Sequence, residues 1–232
     1  MNLAICIKSC QYDKSIGCHS AIRETWGRNL PDNVDLYFFM GGEQCDTDWD
    51  EKWVPVDDGY WPSMQKTRAI TEVAVDENYD YIYLCDTDSY VIIKEMLKWP
   101  FEQYDYSGGH LCSRRKEDRL LGHGYGAWDT GKGDVVDPFY NYFSGGVGFF
   151  LSQKAARIVA ESEYYINSED LCVGQMMGRE IAAGNIKAGV LQGIEGVSVW
   201  HLNCGFYGGG HTERKNAGEA VRRHHVDLGY GK

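Results

Sequence analysis

With 232 residues, 43% of them hydrophobic and 25% charged, the chain has the composition of a soluble globular protein built as one large domain or two closely fused ones. Its net charge of −11 and pI of about 5.1 disfavour non-specific attraction to nucleic acid or to anionic membranes. No apolar run approaches the roughly 20 residues that cross a bilayer, so no membrane span is expected.

Residues 3 to 8 read as a short buried strand, and the N-terminus enters it almost directly, so neither a signal peptide nor an anchor is expected. Ser20 to Gly27 reads as a helical segment with Ile22 and Trp26 on one face. Val34 to Met40, closed by Gly41-Gly42, is a second strand, and Trp53 to Val56 a short third one. Pro62-Ser63 opens a helix in which Ile70, Val73 and Ala74 share a face, and Asn78 closes it. Tyr81 to Cys85 follows as a nearly all-apolar strand, the pattern of a strand covered on both faces. Strands alternating with helices imply right-handed crossovers, hence an α/β fold with a mainly parallel sheet.

After Pro100 the texture changes. Residues 113 to 139 are charged and rich in glycine, carry Tyr125 and Trp128, and are long for a structureless connection, which marks a functional loop. From Phe143 the expected order is a strand (Gly145 to Leu151), a helix capped by Ser152, a loop, a helix capped by Ser168, and short strands up to His201. Residues 205 to 232 read as a mobile tail with a brief helix near 215 to 225. The eight cysteines lack the C-x-x-C spacing of zinc sites, and Cys6, Cys85 and Cys172 fall in apolar segments. Buried free thiols in a reducing, cytoplasmic setting are expected, and the even count would permit bridges were the chain secreted.

Asp86 and Asp88 stand where the third long apolar run gives way to polar residues. In extended chain, residues two apart face the same side, and open sheets of this class bind ligands beyond the carboxyl ends of their strands. Two such carboxylates suit a hard divalent cation, Mn²⁺ or Mg²⁺, with positions left for phosphate oxygens; they also suit a strand-ending turn. Gly145 and Gly146 let backbone approach a ligand closely, or mark a bulge or tight packing contact. Glu169 and Asp170 begin a helix, where the helix dipole favours acids whether or not one of them serves as a general base. His201 ends a late strand as a third metal ligand or as a structural imidazole, with His211, His224 and His225 as competitors. Arg23 and Lys66 are candidates for holding a diphosphate, or solvated helix residues. Arg214, Lys215, Arg222 and Arg223 make a basic cluster in the tail whose ordinary role is helix surface.

The order of these segments carries more than any one of them. Ala21-Ile22-Arg23-Glu24-Thr25-Trp26, Gln65-Lys66-Thr67, Asp86-Thr87-Asp88-Ser89-Tyr90-Val91, Ser144-Gly145-Gly146 with Phe149 to Ser152, and Glu169-Asp170-Leu171-Cys172-Val173-Gly174 follow one another over residues 21 to 174. In that order they resemble the beta-1,3-galactosyltransferase and Fringe family of glycosyltransferases, family 31. The resemblance implies a GT-A fold with a smaller acceptor-side sheet, one catalytic domain over 1–204 with a nucleotide-binding half (1–100) and an acceptor half (101–204), and a tail over 205–232. It further implies a nucleotide-sugar donor, usually a UDP-sugar, Mn²⁺ held by Asp86 and Asp88, inversion at the anomeric carbon, and a glycan or glycoconjugate acceptor. By the same resemblance Asp170 is the catalytic base, Gly145-Gly146 the donor-sugar wall, and His201 the late metal-binding histidine. The family often carries three consecutive acids where this chain has Thr87 in the middle. Its animal members are typically membrane-anchored, whereas this chain begins at the fold, as either a shortened piece of a longer protein or a compact bacterial or viral enzyme would. Two other functions fit parts of the pattern: a sugar-nucleotide or carbohydrate-binding module without catalysis, and a glycosyltransferase acting on a modified nucleic-acid base.

Overall fold

A computed structural model describes residues 1–59, 63–114, 140–163, 169–191, 194, 196, 198–202 and 216–230. Its centre is a seven-stranded sheet in the order β10-β6-β9-β4-β1-β2-β3. The strands are β1 (Leu3–Lys8), β2 (Val34–Met40), β3 (Glu51–Trp53), β4 (Tyr81–Asp86), β6 (Tyr106–Gly108), β9 (Phe149–Ser152) and β10 (Ala188–Val190). All neighbours run parallel except β9, which lies antiparallel between β4 and β6. Two further ribbons pair β5 (Ser89–Val91) with β11 (Val199–His201) and β7 (Leu111–Arg114) with β8 (Tyr140–Phe143). This is the α/β architecture expected from the alternation of strands and helices.

The continuous apolar runs of β1 and β4 have a direct cause: helices cover both faces of the sheet. Along β1, Ala4 and Cys6 enter one core with α3 (Ser63–Asp76), α5 (Gln153–Glu161) and α6 (Glu169–Ala182), while Leu3, Ile5 and Ile7 enter the other. The second core is closed by α2 (Cys18–Glu24), α4 (Ile93–Met96) and α7 (Ala217–Asp227). Each large apolar side chain sunk in either core contributes about 1.5–3 kcal/mol. Ile70 and Ala74 of α3 are buried on the expected face, and Asn78 ends the segment in the left-handed region at φ 62°. Ser152 caps α5 as expected, its side chain accepting the Ala155 N–H at 3.2 Å. No helix among the described residues is long and apolar enough to cross a membrane.

Four expectations need correction. The third strand is Glu51–Trp53 rather than 53–56, because Phe38 of β2 selects Glu51 as its ladder partner. The second helix starts earlier and ends earlier than 20–27, and a short α1 (Gln11–Ser15) precedes it. The strand expected from Gly145 begins only at Phe149; residues 144–148 form a turn closed by Gly148 N–H to Ser144 C=O at 2.9 Å. Gly148 has φ +89°, and a β-carbon there would stand 2.5 Å from the Tyr83 hydroxyl, so this position needs glycine both for its backbone and for space. Finally, the helix of the tail spans 217–227 and is docked: Ala217 and Val221 are buried, and Gly218 lies against the backbone of Gly17 beside α2. The loop with Tyr125 and Trp128, the Ser168 cap, His211, Arg214 and Lys215 lie outside the described residues.

Candidate active site

Register places the first two charged groups. Lys8 is the last residue of β1 and Asp86 the last of β4, and the two are direct partners across the parallel ladder. Their side chains leave the carboxyl edge of the sheet together, with Lys8 Nζ 3.2 Å from Asp86 Oδ1. From the first turn of α6, Glu169 reaches the same ammonium and accepts a hydrogen bond from it. The Lys8, Asp86 and Glu169 side chains are only 9%, 14% and 13% exposed, so removing the Lys8 charge would leave two carboxylates uncompensated in a poorly solvated place. Burial works against the Lys8 charge, but Asp86 and then Glu169 outweigh it and hold the ammonium well above the usual lysine range.

Gly145 makes this junction sterically possible. A β-carbon on it would stand 2.3 Å from Glu169 Oε1 and 2.9 Å from Lys8 Nζ. Gly146 supplies a carbonyl that accepts the Ser89 hydroxyl at 2.7 Å, and the same hydroxyl oxygen accepts the Asp86 N–H at 3.2 Å. Gly146 therefore braces the Asp86-Thr87-Asp88-Ser89 turn from one side. From another side, buried Asp13 of α1 accepts the Thr87 hydroxyl at 2.9 Å. Trp26 Nε1 donates to the Ser89 carbonyl at 3.1 Å.

Asp88 is buried at 1% exposure, and its carbonyl accepts the Leu202 N–H at 3.0 Å. Because β11 pairs antiparallel with β5, His201 stands opposite Ser89, one residue from Asp88; its side chain lies outside the described residues. Asp170, half-buried beside Glu169, accepts the Leu171 N–H at 2.7 Å, as an acid in a first turn is disposed to do. Its charge also acts on Lys8, which places it in the same electrostatic neighbourhood. Asp86, Asp88, Gly145, Gly146 and Asp170 are thus brought to one edge of the sheet.

Arg23 and Lys66 have other partners. The Arg23 guanidinium grips Asp50 through Nε at 2.8 Å and through Nη2, and also reaches Glu51 at 2.9 Å and Asp48 at 3.1 Å, while lying over the Phe38 ring. Lys66, 5% exposed, donates to the Ser9 carbonyl and to Asp58 at 2.8 Å. Asp58 in turn accepts the N–H groups of Gln11 at 2.6 Å and Gly41 at 2.7 Å. These two cations fasten the loops that follow β1 and β2, which is the physical reason their helices carry charge on an inward face.

Sequence reasoning missed Lys8, because a lysine closing an apolar run looks like a strand end; its mate across the ladder was the available signal. It also missed a buried polar chain in which Ser9 Oγ meets His19 Nε2 at 2.6 Å and His19 Nδ1 meets Glu51 Oε1 at 2.7 Å. The spacing is that of a nucleophile relay, but Ser9 and His19 are 3% and 1% exposed, so the chain ties the β1–α1 loop to β3. Burial lowers the His19 pKa against the pull of Glu51. Burial also opposes the Glu51 charge, yet Lys14, the Asp48 N–H and His19 hold that carboxyl down to about 2.

Among the described residues no three His, Cys, Asp or Glu side chains form a ready-made metal cluster. Asp86 and Asp88 nonetheless match a hard divalent cation in donor chemistry, since a cation that also binds a diphosphate needs only one or two protein carboxylates.

No family model matches the chain, and no curated protein matches it. Among solved structures it is similar to the crystal structure of a glycosyltransferase involved in the glycosylation of the major capsid of PBCV-1. The TM-score is 0.51 at 13% sequence identity, over 96% of this chain and 100% of that one. At that identity the likeness is one of fold, and it extends over nearly the whole length of both chains.

Proposed function

We propose that the protein is a glycosyltransferase that moves a sugar from a nucleotide-sugar, a UDP-sugar by preference, to a hydroxyl of a glycan or glycoconjugate. The observation that carries the reading is the convergence of Asp86, Asp88, Lys8 and the Glu169-Asp170 turn at the carboxyl edge of a glycosyltransferase-type sheet. The five segments in Fringe-like order support the narrower placement in family 31.

Asp86 and Asp88 would hold a Mn²⁺ or Mg²⁺ ion, with His201 as a further ligand, and a cation so placed supplies charge neutralisation for a departing diphosphate. Gly145 and Gly146 keep the wall beside the anomeric carbon free of side chains. Lys66 and Arg23 act on the donor only at one remove, by fixing the loops around it. Asp170 accepts the proton of the acceptor hydroxyl as that oxygen bonds to the anomeric carbon. The bond from that carbon to the diphosphate oxygen breaks, its electron pair leaves with the nucleoside diphosphate, and one displacement inverts the configuration. Glu169 is a poor candidate for the proton transfer because Lys8 already engages its carboxylate. Tyr125 and Trp128, by residue type alone, would suit an acceptor sugar.

Nucleotide release from a panel of UDP-, GDP- and TDP-sugars with Mn²⁺ tests the proposal. Asp88→Ala is expected to abolish metal-dependent donor binding, and Asp170→Asn to bind donor but lose transfer. Normal transfer by Asp170→Asn would remove the base assignment. Donor-induced stabilisation without turnover on any acceptor would favour a binding module instead.

A further inference from the structure

Three elements distant in sequence deliver one ammonium to the head of the acidic site. Lys8 comes from the end of β1, its partner Asp86 from the end of β4, and Glu169 from the start of α6. A glycine at position 145 is required for them to meet. A lysine that only terminated a strand would turn its flexible stem to water, where the ammonium is best solvated. Here the stem is held at 9% exposure, with its nitrogen on a carboxylate that the cation would need.

We infer that Lys8 is a built-in counter-ion which competes with the divalent cation for Asp86, so that the cation binds weakly until a nucleoside diphosphate arrives with it. This rests on the proposed metal-dependent transfer and deepens it. Without a cation, Lys8 offsets one of the two like charges that Asp86 and Glu169 bring to a poorly solvated cleft. When a cation takes Asp86, Lys8 gives up that contact and keeps Glu169, and its net charge then opposes the newcomer. A diphosphate reverses the balance, because its oxygens are new anionic partners for both the cation and the ammonium. Metal and nucleotide therefore bind cooperatively, and the site discriminates against free cations.

The test is direct Mn²⁺ binding, by calorimetry and by the electron paramagnetic resonance signal of the free ion, on the full chain with and without UDP. Lys8→Gln keeps a hydrogen-bond donor on a slightly shorter side chain but removes the charge; Lys8→Arg keeps the charge. A unit charge at this range shifts cation affinity by roughly tenfold or more even with substantial screening. Lys8→Gln is therefore expected to bind Mn²⁺ alone about tenfold tighter than wild type. Lys8→Arg should stay near wild type, and UDP should raise Mn²⁺ affinity more in wild type than in Lys8→Gln. Equal or weaker binding of Mn²⁺ alone by folded Lys8→Gln overturns the inference, as does no uptake by that variant. Uptake by wild type once UDP is added still upholds the metal-dependent reading, so the two fail separately. If Lys8→Gln does not fold, Glu169→Gln decides: it leaves Lys8 with Asp86 alone and should weaken Mn²⁺ binding severalfold, and unchanged affinity overturns the inference.

Discussion

Gly145 and Glu169 are neighbours at a distance that only a glycine permits, since a β-carbon at position 145 would stand 2.3 Å from Glu169 Oε1. Gly145→Ala is therefore expected to push Glu169 off Lys8 and to cost about 1–3 kcal/mol, the usual range for overpacking a tight site. Urea unfolding reads the stability, and donor binding reads the site. Gly178, inside α6 with nothing within 4 Å of an added β-carbon, is the contrasting position. Gly178→Ala should stabilise the protein by roughly 0.5–1 kcal/mol through helix propensity.

Thr87, which separates Asp86 and Asp88 in the sequence, donates its hydroxyl to buried Asp13. Thr87→Val keeps the shape but takes away that donor, so it is expected to cost about 1–3 kcal/mol and to raise the KM for donor more than it lowers kcat. Thr87→Ser should restore most of both. Equal stability of Thr87→Val and wild type in urea would show that this bond does not hold the turn.

Glu51 sets an acid limit on stability. Its carboxyl is held down to about 2 from an ordinary 4.5, so the folded protein binds this proton less readily than the unfolded chain. The resulting stabilisation is complete above about pH 4.5 and is lost as pH falls toward 2. Glu51→Gln should flatten this part of the stability profile. Glu51→Ala, which also leaves the Arg23 and Lys14 charges poorly matched, should cost about 3–5 kcal/mol.

A second acid response belongs to the last helix. His225 Nδ1 meets the Tyr90 hydroxyl at 2.7 Å, and the His224 ring meets Tyr90 edge-on and Trp200 at a tilt, at 4.9 and 5.0 Å between centroids. Burial lowers both imidazole pKa values below 6.5, with Asp227 opposing the shift at His224. Because the released helix binds these protons more readily than the docked one, docking is favoured above about pH 6.5 and weakens as pH falls through that value. Hydrogen exchange over residues 217–227 should quicken between pH 7 and pH 5.5 relative to β1, and Tyr90→Phe should show faster exchange at neutral pH as well.

Much of the frame was legible because its cause is local. β1, β2 and β4 are runs of apolar residues that only a sheet covered on both faces would bury, and α3 carries its apolar positions at helical spacing. The Asp86-Thr87-Asp88 turn stood out for the same reason, as the point where such a run ends. Where partners are distant, the sequence was silent. Arg23 and Lys66 read as diphosphate holders, although each finds its carboxylates in the stretch between β2 and α3. The Gly145 to Gly148 stretch read as strand because its glycines are interleaved with apolar residues, and only the approach of Tyr83 and Glu169 explains why they are glycines. Lys8 drew no notice because nothing within ten residues of it hints at Asp86 or Glu169.

The docking of α7 beside α2 also has a consequence for biosynthesis. Val221 belongs to the same core as Leu3, Ile5 and Ile7, and the ring that meets Tyr90 is contributed by His225. On the ribosome the first strands and helices can pair early, but the flank of the Asp86-Thr87-Asp88 turn stays uncovered until the chain has grown past residue 225. The region that would handle the donor is thus completed only after α7 has been made. A nascent chain halted before α7 should expose Tyr90 and the face of α2, a natural place for a chaperone to bind.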